Sequence, residues 1–331
     1  MKCTSRQRSA AIILLLGALA ACIGSAVAQD RRALPIVGEL WSGSEAFAEA
    51  YRQPYVEGMR ALGWVDGQTI RSIVRYDGGD PSRFSPLAAE LVALGIDVLV
   101  VTDRALPAAR IATTRIPIVC LDMYDPIAQG VTSNLAKPGG NVTGVSWQSI
   151  ETAAKRLELA KELLPRLRRV ALLTDADDPG AVIEANGLSA TAVSAGVKLR
   201  TFAVRRAEEL PAVFATLKSD PPDVLIVSTN PFTIINLEAI VRFASSSKLP
   251  TISEAPEFAR AGFLLTYGPD VSDTYKRGAI QVDRILRGMK VGEIPFEQPT
   301  KFGLVVNLKT AKAIALRVPE VIMTRATELI R

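Results

Sequence analysis

The chain has 331 residues, a formal net charge of +5 and no histidine. The missing histidine excludes Ser-His and Cys-His catalytic pairs and removes the commonest zinc ligand. A chain of this length exceeds what one hydrophobic core usually holds, so we expect two lobes.

Residues 1–28 have the pattern of a secretory signal peptide. Three cations precede an apolar run, residues 10–21, which is shorter than the roughly 20 apolar residues of a membrane-spanning helix. Two cleavage sites compete. The sequence Ala-Val-Ala before Gln29 suits ordinary signal cleavage, whereas Leu-Ala-Ala before Cys22 resembles a lipoprotein box. Both alternatives predict export to the periplasm, and only the second adds a lipid anchor at Cys22.

Loss of the leader removes those three cations and leaves a formal net charge of +2. A nearly neutral chain gives no support for nucleic-acid binding. Cys3 and Cys22 lie in the leader region, so Cys120 alone cannot build a disulfide framework. It falls inside a predicted strand and has no cation nearby in the sequence, which indicates a small buried side chain rather than a reactive thiol.

From residue 33 onward, short apolar runs alternate with amphipathic segments. The first series of predicted elements is strand 34–41, helix 45–62, strand 69–76, helix 81–94, strand 97–102, helix 106–114, strand 116–121 and strand 142–146. Gly63 and Gly95 end two of the helices. Strands that alternate with helices predict a parallel sheet with right-handed crossovers.

A second series of predicted elements begins after strand 142–146. It comprises helix 150–164, strand 169–174, helix 180–195, strand 198–204, helix 207–218, strand 224–228, helix 232–246, strand 250–253, strand 262–267 and helix 272–287, then one strand and two short helices within 300–331. The repeated pattern predicts two similar lobes. No flexible linker separates them, which favours several chain crossings over a single joint.

Polar residues cluster directly after the predicted strands. In an open α/β sheet, ligands bind in the crevice at the carboxyl ends of the strands. The candidate ligand-binding residues that share this position are Trp41, Ser42, Ser44, Asp103, Arg104, Asp122, Tyr124, Asp125, Trp147, Asp177, Asn230, Glu254 and Tyr267. Helix N-termini in the same loops offer free N–H groups to a carboxylate, which suits an amino-acid or organic-acid ligand.

Several of these residues have an alternative role in the fold. Ser44 is also a suitable N-cap for the first helix. Trp41 and Trp147 either sandwich a ligand or fill the core. Arg104 either binds a ligand carboxylate or pairs with its neighbour Asp103.

Six short blocks occur in a fixed order along the chain: Ala61–Trp64, Leu87–Val92, Ile116–Val119, Lys137–Gly144, Tyr267–Asp270 and Gln298–Phe302. Together they resemble the periplasmic substrate-binding proteins of ABC transporters that are related to the tryptophan-binding and aromatic-amino-acid-binding members. The resemblance implies a type I periplasmic binding fold, an α/β architecture of two Rossmann-like lobes with parallel sheets joined by three crossovers. The implied lobes are 30–122 with 254–291 and 123–253 with 292–331, with crossovers near Asp122, Glu254 and Gly292.

The same resemblance implies a monomer that closes on one small molecule and delivers it to an ABC permease and its ATPase. It implies no cofactor, metal or catalytic residue. One departure stands out, because Thr102-Asp103-Arg104 replaces the small Gly-Thr-Pro-like turn usual after the third strand of the family. An Asp-Arg pair at that position would change the charge preference of the ligand site.

Two other classes of protein remain as alternatives. An exported ligand sensor that signals through a partner would use the same two closing lobes. An exported enzyme is disfavoured, because the sequence has no G-x-S-x-G elbow, Walker loop or G-x-G-x-x-G stretch.

Overall fold

Two β-sheets organise the chain in the computed structural model, which describes residues 34–331. The strands are β1 (Ile36–Trp41), β2 (Arg71–Tyr76), β3 (Val98–Val101), β4 (Ile118–Met123), β5 (Val142–Ser146), β6 (Arg169–Asp175), β7 (Lys198–Val204), β8 (Val224–Val227), β9 (Thr251–Ser253), β10 (Leu265–Pro269), β11 (Phe302–Asn307) and β12 (Glu328–Ile330). Runs such as Val98–Val101 and Val224–Val227 are buried throughout, as expected of strands covered on both faces.

Helices cover both faces of each sheet. They are α1 (Glu45–Ala61), α2 (Phe84–Ala93), α3 (Leu106–Ala112), α4 (Ser149–Leu163), α5 (Pro179–Ser194), α6 (Leu210–Ser219), α7 (Pro231–Ile235), α8 (Leu237–Ser246), α9 (Pro256–Ala261), α10 (Val271–Leu286), α11 (Leu308–Ala313) and α12 (Glu320–Arg325). Short 3₁₀ turns at 81–83, 103–105, 207–209 and 291–293 complete the connections. Most of these bounds lie close to those predicted from the apolar periodicity, but the predicted helix 232–246 is divided into α7 and α8.

The first lobe is built on the sheet β2-β1-β3-β4-β5, in which every neighbouring pair of strands is parallel. Helix α10 belongs to this lobe although it comes late in the chain, since it packs along α1 and against β4. The two helices approach closely at Gly58, where an added Cβ would lie 2.8 Å from the Ala279 Cβ. A glycine is therefore needed at that contact.

The second lobe is built on the sheet β12-β11-β10-β9-β8-β6-β7. Its pairs are parallel except β10 with β11, because β11 re-enters this lobe from the first one and runs in the opposite direction. The sequence predicted one strand after residue 300, but the structure has two. The missed strand β12 has three residues and pairs with β11 at the edge of the sheet, too short for a periodic signal.

The chain passes between the lobes three times, later than the resemblance implied. The crossings lie between Ser146 and Ser149, between Pro269 and Val271, and between Glu297 and Phe302. The expected boundaries at 122, 254 and 292 put β5 in the second lobe and β10 in the first. Backbone pairing corrects this, because β5 extends the first sheet beside β4 and β10 extends the second beside β9.

Each sheet has one point at which the strand order reverses. In the first lobe β2 lies on one side of β1 and β3 lies on the other. In the second lobe β6 has the same place between β7 and β8. Loops diverge at such a point and leave a crevice at the carboxyl ends of the strands. The crevices of the two lobes face each other.

Cys120 is a free thiol, fully buried in β4, as the sequence indicated. Within residues 34–331, no helix is both long and apolar enough to cross a membrane. The predicted leader and both of its cleavage sites fall outside the described residues.

Candidate functional site

A cavity of about 120 Å³ lies between the lobes at the two facing crevices. Nine of the predicted ligand-binding residues line it: Trp41, Ser42, Asp103, Arg104, Asp122, Tyr124, Trp147, Asn230 and Glu254. They come from the carboxyl ends of β1 and β4 and the loops after β1, β3 and β4 in the first lobe, from the first crossover, and from the loops after β8 and β9 in the second. The topology therefore explains why residues far apart in the sequence meet.

An aromatic wall forms the first-lobe side of the cavity. The Trp41 ring stacks on Tyr275 with a centroid distance of 5.8 Å, and Tyr51 and Phe47 continue the row, their rings 5.2 Å apart. Trp41 is only 2% exposed and donates its indole N–H to Glu39 at 3.0 Å, so it fills the core and lines the cavity at once. Such a wall suits the flat face of an aromatic or apolar ligand group.

Buried carboxyl groups line the cavity together with the aromatic rings. In the first lobe, Asp103 accepts a hydrogen bond from the Gln129 amide at 2.8 Å, and Asp122 accepts from the Tyr275 hydroxyl at 3.0 Å. Burial raises the pKa of Asp103 to about 8 and that of Asp122 to about 6. Neither carboxyl has a salt-bridge partner within residues 34–331, and the cavity residue Arg104 pairs with Asp175 instead, so a cation in the cavity would favour their charged forms.

A buried ionic network holds Glu254 at the second-lobe side. The Trp147 indole N–H donates to Glu254, whose carboxylate lies 3.8 Å from an Arg156 guanidinium nitrogen. Arg156 also pairs with Glu184. Two acids therefore share one arginine. Burial raises the pKa of Glu254, although Arg156 partly offsets it.

Three side-chain pairs join the lobes around the cavity. Arg104 pairs with Asp175 across the gap at 3.1 Å, the Tyr51 hydroxyl donates to Glu257 at 2.7 Å, and the Tyr124 hydroxyl donates to Asp178 at 3.3 Å. The lobes are therefore closed on each other. The sequence offered two partners for Arg104, a ligand carboxylate or the neighbouring Asp103. Neither is the partner in the closed structure, because Asp175, at the end of a strand of the other lobe, takes that place.

Four predicted ligand-binding residues do not line the cavity. Ser44 caps α1 by accepting from the Phe47 N–H at 3.3 Å, which is the alternative role noted from the sequence. Asp125 accepts from two backbone N–H groups of its own turn. Asp177 pairs with Arg205 at 3.0 Å on the surface. The Tyr267 ring stacks on Phe302 in the second lobe, with a centroid distance of 5.8 Å.

Other cavity residues were missed from the sequence: Phe47, Ala48, Tyr51, Thr102, Asp178, Thr229, Pro231, Ile234, Ala255, Val271 and Tyr275. Phe47 and Tyr51 are four residues apart on α1 and so share one helix face, a signal that was available. Tyr275 carried no such signal, because it reaches the first lobe only through the second crossing. Among the residues described, no cluster of three or more His, Cys, Asp or Glu side chains could hold a metal ion.

Two lobes of the type I periplasmic binding fold that close over a cavity at facing strand ends define a ligand-binding protein. The family model described as ABC transporter substrate binding protein matches residues 46–330. The chain belongs to this family, as its sequence blocks predicted.

Relatives of known description support the same placement. The chain is 25% identical over 269 residues to a tyrosine-binding protein of Clostridioides difficile (strain R20291), which covers 80% of this chain and 76% of that protein. The structure of the present chain resembles that of an ABC domain from Streptococcus pneumonia in complex with L-Trp. The TM-score is 0.83, the identity is 25%, and the match covers 90% of this chain and 100% of that one. The fold is shared with the ligand-free, open structure of a substrate-binding protein from Clostridium difficile, with a TM-score of 0.67, 23% identity and coverage of 90% and 99%.

Proposed function

We propose that this chain is the exported binding component of an ABC importer and that it holds an aromatic amino acid in the interlobe cavity. One observation carries the choice of ligand, namely that a wall of four aromatic rings faces buried carboxyl groups in the same cavity. An aromatic side chain stacks on the first, and an ammonium group pairs with the second.

The carboxyl groups decide between an amino acid and a simple organic acid. Asp103, Asp122, Asp178 and Glu254 all line the cavity. Arg104, the one cation among the described residues that line it, is already paired with Asp175. An organic acid without an ammonium would leave these carboxyl groups without a cation and would bring a negative charge into a buried site, which is costly. A zwitterion supplies the missing cation.

The family and the descriptions of the relatives support the transport role. A tyrosine-binding relative and a structural neighbour in complex with L-Trp both concern aromatic amino acids. Family membership and the leader pattern of residues 1–28 support the further proposal of permease and ATPase partners, a monomeric state and a periplasmic location. A sensor that signals through a partner is the second candidate, and finding permease and ATPase reading frames next to this one would favour the importer.

A binding screen tests the proposed ligand. Purified protein is titrated calorimetrically with tyrosine, tryptophan and phenylalanine, with leucine as an amino acid lacking the ring, and with 4-hydroxybenzoate as an aromatic acid lacking the ammonium. We expect an aromatic amino acid to bind and to raise the melting temperature, by a stabilisation of about 2.7 kcal/mol at one hundred times the dissociation constant. Tighter binding of the hydroxybenzoate than of every amino acid would contradict the proposal, and steady turnover of any compound would point to an enzyme.

A further inference from the structure

One buried polar group in the cavity has no partner. Asn230 follows β8, lines the cavity and is 4% exposed. Its amide nitrogen Nδ2 makes no hydrogen bond in the closed structure. Leaving a buried N–H without a hydrogen-bond acceptor is costly, so the presence of this group in a residue at the cavity wall calls for an explanation.

The orientation of this amide is set by the helix that it caps. Its Oδ1 accepts a hydrogen bond from the Thr233 N–H at 2.9 Å, while the Thr233 hydroxyl accepts from the Asn230 N–H at 3.2 Å. Because only the amide oxygen can accept from that N–H, the amide cannot flip, and Nδ2 must lie on the other side of the group. Pro231 has no N–H, so the residue after Asn230 adds no backbone donor at this end of the loop.

The other polar groups of the cavity restrict what Nδ2 can meet. An amide N–H needs an acceptor, and an ammonium has none to give. In a zwitterionic ligand the ammonium satisfies the carboxyl groups, and the carboxylate is the strong acceptor that remains. Ser42, Arg104 and Pro231 line both this cavity and the outer cleft that opens between the lobes, so the end of the cavity next to Asn230 is its mouth.

We infer that Asn230 donates its amide N–H to the carboxylate of the bound amino acid, at the mouth of the cavity. This inference rests on the proposed amino-acid ligand and adds the orientation of that ligand, with the carboxylate outward and the ring against the first-lobe wall. Since Asn230 belongs to the second lobe, the contact forms only when the lobes close. The carboxylate is then the part of the ligand that couples binding to closure.

Two substitutions at this position separate the donor from the cap. Asn230→Ser keeps a good N-cap oxygen and loses the amide donor without adding charge, whereas Asn230→Asp keeps the cap and puts a second anion opposite the carboxylate. We expect the dissociation constant to rise about tenfold for Asn230→Ser and further for Asn230→Asp, with the ligand-free melting temperature of Asn230→Ser nearly unchanged.

Asn307→Ser is the matched control. Asn307 also caps a helix with Oδ1, but its Nδ2 already donates to the Ala259 carbonyl at 2.8 Å, away from the cavity. This variant should lose stability and keep its affinity. The titrations use tyrosine and tryptophan with the full mature chain.

The outcomes divide cleanly. Wild-type affinity in Asn230→Ser, or binding by Asn230→Asp as tight as or tighter than by Asn230→Ser, would overturn the carboxylate contact and leave the proposed ligand standing. Wild-type protein that binds no aromatic amino acid would overturn both the proposed function and this contact.

Discussion

Gly180→Ala should weaken ligand binding without weakening the fold. Gly180 lies in the first turn of α5 in the second lobe, and the ring of Tyr124 from the first lobe packs against it when the lobes are closed. A Cβ added at this glycine would lie 2.1 Å from Tyr124 Cδ2 and 2.4 Å from Cε2. Carbon atoms normally rest 3.5 to 4.0 Å apart, so the ring must move by roughly 1.5 Å.

The cost of that displacement falls on the closed state alone. The Tyr124 hydroxyl shares its one proton between Asp178 at 3.3 Å and the Thr229 carbonyl at 3.4 Å, and both contacts restrain the ring. Overpacking of this kind costs about 1 to 3 kcal/mol, which corresponds to a loss of affinity of roughly fivefold to 150-fold. In the open state the lobes part and the clash disappears.

The ligand-free protein should respond in the opposite sense. Alanine restricts the unfolded chain more than glycine does, which stabilises a compatible helix position by about 0.4 to 1 kcal/mol. Titration calorimetry with the best amino acid and a melting curve without ligand measure the two effects separately. Ser189→Ala, on an exposed position of the same helix, controls for helix propensity and should keep full affinity.

Two results would refute this reasoning. Wild-type affinity in Gly180→Ala would show that Tyr124 does not rest on this glycine in the liganded protein. A lower melting temperature of the ligand-free variant would show that the contact persists in the open state, and that the affinity loss does not report on closure.

Three further predictions follow from the charges and the leader. Burial raises the pKa of Asp103 to about 8, and its hydrogen-bond partner Gln129 lies in the same lobe, so an ammonium ligand must displace a proton from Asp103 below pH 8. Affinity should therefore fall by up to tenfold per pH unit as the pH drops from 8 to 6. A constant affinity in calorimetry over that range would argue against the pairing. Arg104→Ala leaves Asp175 buried without its partner only in the closed state, so affinity should fall tenfold or more while the ligand-free melting temperature stays nearly unchanged. Unchanged affinity would show that Arg104 does not stabilise the closed state. If Cys22 is lipidated, Cys22→Ala should release the protein from the membrane fraction, whereas a wild-type protein that fractionates free of membranes would support cleavage at the later site.

Much of the architecture was readable in the sequence because it depends on local patterns. The apolar run Val98–Val101 and the capped helix that begins at Glu45 follow from hydrophobic periodicity and end signals. Parallel strands put their carboxyl ends at one edge of a sheet. The rule that polar residues after strands gather at a site therefore found nine of the cavity residues, including Asp103 and Asn230. The order of sequence blocks identified the family.

The partners of those residues depended on contacts between distant segments. Arg104 meets Asp175 from a strand 71 residues away, and Tyr275 completes the aromatic wall only because α10 returns to the first lobe. The lobe boundaries likewise follow from which strand β5 and β10 pair with, which no local pattern encodes. Local sequence therefore determined the elements and the edge of each sheet where the site lies. Tertiary structure decided which side chains face each other there, because packing and ion pairing select their partners in space.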